Sequence, residues 1–406
     1  MIWRLHVDFA TIRTYRHVRD VPQLSKEEAE DLSAVEEHYA FRTNSYYLNL
    51  IDWSDTEDPL RRLVIPNRSE LNVTGDLDAS QEANYTVARG LQHKYSDTAL
   101  MLVAETCDSY CRYCFRKRLT MRKSNEVAVD PSEALTYIRD HREIRNVLLT
   151  GGDPLTLATN KLARILDALA EMDHLRAIRI GSKVPAFRPQ RILEDPKLIE
   201  LLAKHSRSGQ QIYIMAHFTH PRELTAEAKQ AIGLVRKTGC EVMNQCPIIR
   251  GINDSASLLH ELYLELMSVG ARPYYLFINR PTKGNSTFAV PIVEAWRILS
   301  VAMENLPGLA STVRLVMSHH TGKMEITGVD HDFIHLRYHR AAHRVDHRRH
   351  LICQRNDRAV WFDELLEVHP QWIHRERQEQ GRSLAVRIPL RLDRPMHRGD
   401  PNSREN

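Results

Sequence analysis

Three cysteines in this chain stand close enough to share one task. Cys107, Cys111 and Cys114 fall in Thr106-Cys107-Asp108-Ser109-Tyr110-Cys111-Arg112-Tyr113-Cys114, a C-x3-C-x2-C spacing. Three thiolates on one short loop can each ligate an iron of a [4Fe–4S] cube, which leaves the fourth iron open to a chelating small molecule. Structural zinc is the competing use of clustered cysteines. It ordinarily takes four ligands in two separated pairs, and no second C-x2-C exists here. The remaining cysteines, Cys240, Cys246 and Cys353, are spread thinly, which speaks for a reducing compartment rather than a disulfide framework. Cys240 and Cys246 read as small packed residues.

A second group follows the apolar run Val147-Leu148-Leu149, which ends in Thr150-Gly151-Gly152-Asp153. Glycines let a backbone approach a ligand closely, and a carboxylate accepts hydrogen bonds from an ammonium group. Taken alone, Gly-Gly-Asp is also an ordinary turn. Arg179-Ile180-Gly181-Ser182-Lys183, His217-Phe218-Thr219-His220-Pro221 and Asn244-Gln245 follow later apolar runs and could line the same mouth. For the two histidines a structural role is equally open.

These groups need a frame, and the hydrophobic pattern supplies one. Strands are expected at Leu100–Glu105, Asn146–Thr150, Ala177–Gly181, Gln211–His217, Glu241–Cys246 and Pro273–Asn279. Helices are expected near 132–140, 159–171, 196–205, 223–237 and 256–268, the fourth closed by Thr238-Gly239 as a left-handed cap. Such alternation implies right-handed crossovers and a parallel α/β sheet, six units being too few to close a TIM barrel. A helix near 291–304, a strand at Val313–Ser318 and a His- and Arg-rich segment from His335 to His350 come next. The latter reads as solvated surface or subunit contact rather than a metal site. Ser25 is the expected N-cap of a helix in the polar N-terminal region. The stretch from about Arg375 has the composition of a disordered tail.

The chain has 406 residues, 42% hydrophobic and 27% charged, with a formal charge of +4. That excess is too small to suggest a nucleic-acid partner. Met1 to Asp8 has charges scattered through it and no apolar run, unlike a signal peptide, and no uninterrupted apolar stretch of membrane-spanning length follows. A cytoplasmic protein is expected.

The cysteine loop resembles the signature of the radical S-adenosylmethionine (radical SAM) superfamily, in which an aromatic residue, here Tyr113, precedes the last cysteine. The further blocks His93-Lys94-Tyr95, Pro189-Gln190-Arg191, Gly251-Ile252-Asn253-Asp254 and Arg272-Pro273-Tyr274-Tyr275 recur with those above in one order. Over roughly residues 60 to 330 the chain is similar to the lysine 2,3-aminomutase family. The resemblance implies an open partial (βα)6 TIM-type barrel at 96–285, a mostly helical N-terminal region at 1–95, a capping and oligomerisation region at 286–375 and a tail at 376–406. It implies three cofactors: the cluster on Cys107, Cys111 and Cys114, SAM on its open iron, and pyridoxal 5′-phosphate (PLP). Gly151, Gly152 and Asp153 would meet the SAM amino group, with His217 and Gln245 as further cofactor-lining positions. Lys94 and Tyr95 match a pair that holds the PLP phosphate, and Arg116 matches the arginine on the substrate α-carboxylate. Lys323, in Ser318-His319-His320-Thr321-Gly322-Lys323, would carry PLP, although Met324-Glu325 follow it where the family has Thr-Pro.

Two departures bear on the substrate. Arg280 stands where lysine-specific members carry an aspartate for the distal ammonium, and Met317, Ser318 and His319 stand where the second aspartate lies. A lysine substrate would meet a like charge, so an acidic amino acid, glutamate or aspartate, is expected. The alternative is a related reaction on lysine, another amino acid or a protein-bound substrate. The family's C-terminal zinc cysteines are also expected to be missing, since only Cys353 lies there. A flavodoxin- or ferredoxin-type electron donor and a homo-oligomer complete the expectation, with no nucleic acid and no membrane.

Overall fold

Each apolar run between polar breaks becomes a strand, and successive strands lie side by side. The computed structural model describes residues 12–368 apart from 73, 122–124 and 129, so Met1 to Asp8 and the tail at 376–406 lie outside the described residues. Twelve strands form one sheet in chain order. They are β1 (Thr86–Ala88), β2 (Leu91–Tyr95), β3 (Thr98–Ala104), β4 (Asn146–Gly151), β5 (Ala177–Ser182), β6 (Gln211–Ala216), β7 (Glu241–Ile248), β8 (Arg272–Ile278), β9 (Arg314–His319), β10 (Gly322–Val329), β11 (Phe333–Ala341) and β12 (His350–Gln354). β3 to β9 run parallel, while β1, β2 and β10 to β12 are antiparallel neighbours at either edge.

Six helices make the parallel crossovers: α2 (Ser132–Asp140), α3 (Thr159–Ala170), α4 (Pro196–His205), α5 (Ala226–Lys237), α6 (Ala256–Ser268) and α7 (Ile292–Met303), with α1 (Lys26–Glu36) preceding the sheet. In α3 the buried residues Leu162, Ile165, Leu166 and Leu169 recur at helical spacing. They pack on Val147, Leu149, Ile178 and Ile180, which alternate along β4 and β5. The expected caps are present. Ser25 accepts a hydrogen bond from the Glu28 amide at 3.1 Å, and Gly239 closes α5 at φ +86°.

One expectation needs adjusting. The region before residue 95 is not helical to its end, because β1 and β2 cover the edge that β3 would otherwise expose. The strand expected at Val313–Ser318 is β9, which pairs in parallel with β8 and extends the sheet beyond residue 285. Ser286–Met303 has the length and hydropathy, 1.3, to cross a membrane. Here it is a turn followed by α7, whose Ile292, Val293, Ala295, Leu299 and Ala302 are buried in the fold.

The sheet is strongly curved. On a flat sheet β2 and β9 would lie seven spacings of about 4.8 Å apart, roughly 34 Å. Yet Lys94 Nζ on β2 donates to the His319 carbonyl on β9, and Arg340 on β11 pairs with Asp97 in the β2–β3 turn. Alternate strand residues therefore face the helices, and the others face one cavity inside the curve.

A separate apolar cluster roofs that cavity. Tyr47, Leu48, Leu60, Leu63 and Ile65 of the N-terminal segment pack with Tyr113, Phe187, Ile252 and Phe288 from loops after the strands. Its polar anchor is Glu70, 0% exposed, which accepts from Arg112 Nε and Nη2, each at 2.9 Å, and from Lys117 Nζ at 3.3 Å. Glu70→Gln would strand two buried cations. A loss of about 3–5 kcal/mol in stability is expected, read from urea unfolding of the variant against the native chain.

Candidate active site

A cavity of about 500 Å³ gathers the sequence-predicted residues from loops and strands that are far apart in the chain. Cys107, Cys111 and Cys114 line it, as do Gly151, Gly152, Asp153, His217 and Gln245, and also Lys94, Tyr95, Arg116, Arg280 and Lys323. The strand period explains why. Leu148, Arg179 and Lys323 face inward, while Val147, Leu149, Ile178, Ile180 and Met324 beside them belong to the core under the helices; at the β8 irregularity both Tyr274 and Tyr275 reach the cavity.

The cysteine loop leaves the end of β3 and is fixed on several sides. The Tyr110 amide donates to the Arg42 carbonyl at 2.8 Å and the Arg112 amide to Leu63 at 2.9 Å. Tyr113 Oη lies 3.0 Å from His217 Nε2 and 3.0 Å from Thr219 Oγ1, and Asn285 donates to the Tyr113 carbonyl at 2.7 Å. His217 is thus a support of the loop, and burial keeps it neutral. Burial pushes the thiols up, Cys111 to about 12. The unloaded loop therefore holds protonated thiols that release protons on metal binding. Among the described residues no three His, Cys, Asp or Glu side chains are placed to hold a single metal ion. A cube offers each thiolate its own iron, so the three sulfurs need not converge on one point.

The glycines do something different from what their types suggest. A Cβ on Gly151 would lie 2.5 Å from the Ala104 carbonyl oxygen, and one on Gly152 2.4 Å from that of Thr106. Their close approach is to the root of the cysteine loop, where the Gly152 amide donates to Ala104 at 2.6 Å and the Asp153 amide to Thr106 at 2.9 Å. Asp153 is 3% exposed. Its Oδ2 accepts from the Lys183 amide at 2.6 Å, the Val184 amide at 3.0 Å and Ser182 Oγ at 3.0 Å. Oδ1 accepts from the Leu155 amide at 3.0 Å. Asp153 is therefore a post that ties the loops after β3, β4 and β5 together, with one acceptor position of Oδ1 left over. The expectation of a carboxylate free to receive an ammonium is corrected to that extent. Burial raises it to about 6.

At one end of the cavity stand two arginines. Arg116, 7% exposed, grips Glu82 through Nη2 at 2.8 Å and Nε at 3.2 Å, and its Nη1 donates to Thr150 Oγ1 at 3.1 Å. Arg280 lies over the Phe115 ring, 3.6 Å from its centroid. Its Nη1 is 4.0 Å from Glu82 and is buried with no hydrogen-bond partner among the described residues. Burial lowers Arg280 to about 10. Arg118 also donates to Glu82, at 2.6 Å. Glu82 was invisible to pattern reading, since it sits in a polar stretch without period.

Lys323 on β10 lines the same cavity, within the electrostatic reach of Arg280. Its Nζ lies 4.3 Å from the centroid of Tyr275 and 5.2 Å from that of Phe277. Among the described residues no carboxylate pairs with it. Burial lowers its pKa well below the ordinary lysine value, and Arg179, Arg280, Arg340 and Lys94 add to the effect. Lys94, also buried, falls to about 7. Tyr95 lies under Arg340, 5.0 Å from guanidinium carbon to ring centroid. Arg340 and His339 belong to the segment expected to be solvated surface. That expectation fails at these two positions because β11 bends over the cavity.

The comparisons with known proteins agree with this geometry. A model of the radical SAM superfamily matches residues 101–261. A protein of Aquifex aeolicus (strain VF5), provisionally named L-lysine 2,3-aminomutase, is 51% identical over 349 residues, 86% of this chain and 93% of its own. The L-lysine 2,3-aminomutase of Clostridium subterminale is 33% identical over 300 residues, 73% of this chain and 70% of its own. The chain belongs to the lysine 2,3-aminomutase family. The glutamate 2,3-aminomutase of Clostridioides difficile (strain 630) is 32% identical over 295 residues, 72% of this chain and 68% of its own. The family membership read from the order of motifs holds. The protein is a radical SAM enzyme of the aminomutase class, working with a [4Fe–4S] cluster and SAM.

Folding holds Lys323 below its ordinary pKa, so the unfolded chain binds the extra proton. The group's contribution to stability then increases as pH rises from its lowered value to about 10.4. Lys323→Met is accordingly expected to raise the urea midpoint at pH 7, with a gain that shrinks towards pH 10. A lower midpoint at pH 7 would contradict the buried, uncompensated amine.

Proposed function

We propose that this enzyme is a PLP-dependent amino acid 2,3-aminomutase acting on glutamate. The observation that carries the PLP part is Lys323, a buried amine without a carboxylate partner among the described residues, its pKa pushed well below the ordinary lysine value by burial and by Arg179, Arg280, Arg340 and Lys94, in the same cavity as the cysteines. A lowered pKa raises the share of the amine present as the nucleophilic free base, and a cage of cations suits a phosphate dianion. PLP, when bound, supplies a conjugated ring over which an unpaired electron can spread, and the cluster with SAM supplies the hydrogen-abstracting radical.

The protein's own part is position and charge. Lys323 attaches PLP, and Lys94, with Tyr95 beside it, holds the phosphate. Cys107, Cys111 and Cys114 hold the cluster, backed by Tyr113 and His217. Gly151, Gly152, Asp153 and Gln245 line the approach to SAM. Arg116 takes the α-carboxylate on the N–H groups that Glu82 and Thr150 leave free, and Arg280 takes the distal carboxylate. Leu100, Leu148, Met215 and Phe277 exclude water from the reacting carbons. In this reading residues 96–285 form an open partial (βα)6 barrel and 286–375 carry the PLP lysine and a subunit contact. A flavodoxin- or ferredoxin-type donor supplies the electron, in the cytoplasm.

Among the described residues the carboxylates lining the cavity are Glu82, whose oxygens are held by Arg116 and Arg118, and Asp153, whose one spare acceptor position lies among the loops after β3, β4 and β5, so beside Arg280 a lysine ammonium meets no free acid. Aspartate fits the charges as well, but moving its nitrogen from Cα to Cβ regenerates aspartate. Glutamate is the acidic substrate that gives a different product. The name of the Aquifex relative favours lysine as the second reading.

Two measurements test the proposal. Borohydride treatment of the PLP-loaded protein should fix the cofactor to the peptide containing Lys323, and Lys323→Ala should abolish the adduct. Incubation of the reduced enzyme with SAM and each free amino acid should convert glutamate to β-glutamate. Arg280→Met should lower kcat/KM for it about a hundredfold or more. Conversion of lysine to β-lysine with glutamate untouched would decide for the second reading.

A further inference from the structure

Arg116 and Arg280 line the cavity, Arg118 stands behind them, and one buried carboxylate meets all three. Glu82 is 8% exposed. It receives two hydrogen bonds from Arg116, one of 2.6 Å from Arg118, and stands 4.0 Å from Arg280. Arg118 has further acidic partners in Glu126, at 2.9 Å, and Asp78, at 3.7 Å. With Arg118 satisfied elsewhere, Glu82 is the carboxylate that offsets Arg116 and Arg280, and Lys94 lies within the field of both Arg280 and Glu82.

Geometry matters as much as charge. A guanidinium offers a carboxylate either its side fork, Nε with one Nη, or its end-on pair of Nη groups. Glu82 occupies the side fork of Arg116 and Thr150 Oγ1 takes one N–H of Nη1, so a ligand meets the Nη N–H groups that those two leave free. Glu82 itself is held rigidly. Its amide donates to Asp78 Oδ1 at 2.9 Å, Tyr85 in the same turn donates to the His320 carbonyl at 2.8 Å, and Gln81 before it is left-handed at φ +49°.

We propose that Glu82 is a positioning residue for the substrate carboxylate. It holds Arg116 by its side fork so that the amino acid docks on the remaining Nη groups, at the depth the reaction needs, and it offsets part of the positive charge there. Glu82 touches no substrate atom and acts through Arg116. This inference rests on the role given above to Arg116 and not on the choice of glutamate over lysine.

Glu82→Gln keeps the shape and removes the charge. The freed Arg116 can then take the substrate carboxylate on its vacated fork, so binding persists while the reacting carbon is displaced. Displacement by about 1 Å costs on the order of a hundredfold in rate. With the reconstituted, reduced holoenzyme and whichever amino acid it converts, kcat should fall at least tenfold while KM does not rise. Glu82→Asp, which restores the charge, should recover part of kcat. Because Glu82 works through Arg116, adding Glu82→Gln to an Arg116→Met enzyme should change kcat/KM by less than twofold, whereas independent roles would multiply. Anaerobic calorimetry adds a reading free of turnover: Glu82→Gln should bind glutarate at least as tightly as the native enzyme.

A Glu82→Gln enzyme with kcat within twofold of native, or multiplicative losses in the double variant, would overturn the inference. Should the Gln variant fail to fold, the Glu82→Asp enzyme decides, since full native kcat or a raised KM in it would also overturn the proposal. If the native enzyme converts lysine and not glutamate, the acidic-substrate reading falls, while the Glu82 comparison is made on lysine and keeps its force.

Discussion

The cation-rich run that completes the cysteine loop can be buried only because carboxylates from the N-terminal segment meet it. Arg112 and Lys117 are held by Glu70, and Arg116 and Arg118 by Glu82. A lone charge away from water is very costly, and pairing with full hydrogen bonding makes burial tolerable. These pairs bring the N-terminal segment over the mouth of the sheet and set the loop's depth in the cavity. They also decide which guanidinium groups are left facing a ligand.

The cavity is polar in a lopsided way. Its acids are committed to protein partners, while Lys323, Lys94 and Arg280 keep positive or potentially positive groups without matching carboxylates. Such an arrangement is unfavourable for the empty protein and favourable for anions. Desolvation and the surrounding cations both press the Lys323 amine towards its uncharged form, as a neighbouring base would otherwise do.

Much of the frame was legible beforehand because it follows from short-range pattern. The apolar runs appear as β3 to β9 within one or two residues of their expected ends, and the caps at Ser25 and Gly239 are present. The motif residues were legible too, because each sits where a strand delivers its loop. Glu82 and Arg340 were not. One lies in a polar stretch and the other in a segment whose charge suggested solvent, and only the curvature of the sheet brings both to the cavity.

Residue type and spacing by themselves determined the three-thiol loop, the alternation of strand and helix, and the family those blocks resemble. All of these depend on contacts a few residues apart or on chemistry carried by the side chains themselves. Tertiary structure alone decided what the glycines and Asp153 do. Their partners, Ala104, Thr106, Ser182 and Val184, lie on neighbouring loops. It likewise decided that Arg116 is half occupied by Glu82 and Arg280 is not, because pairing between buried charges depends on distances that a linear sequence does not contain.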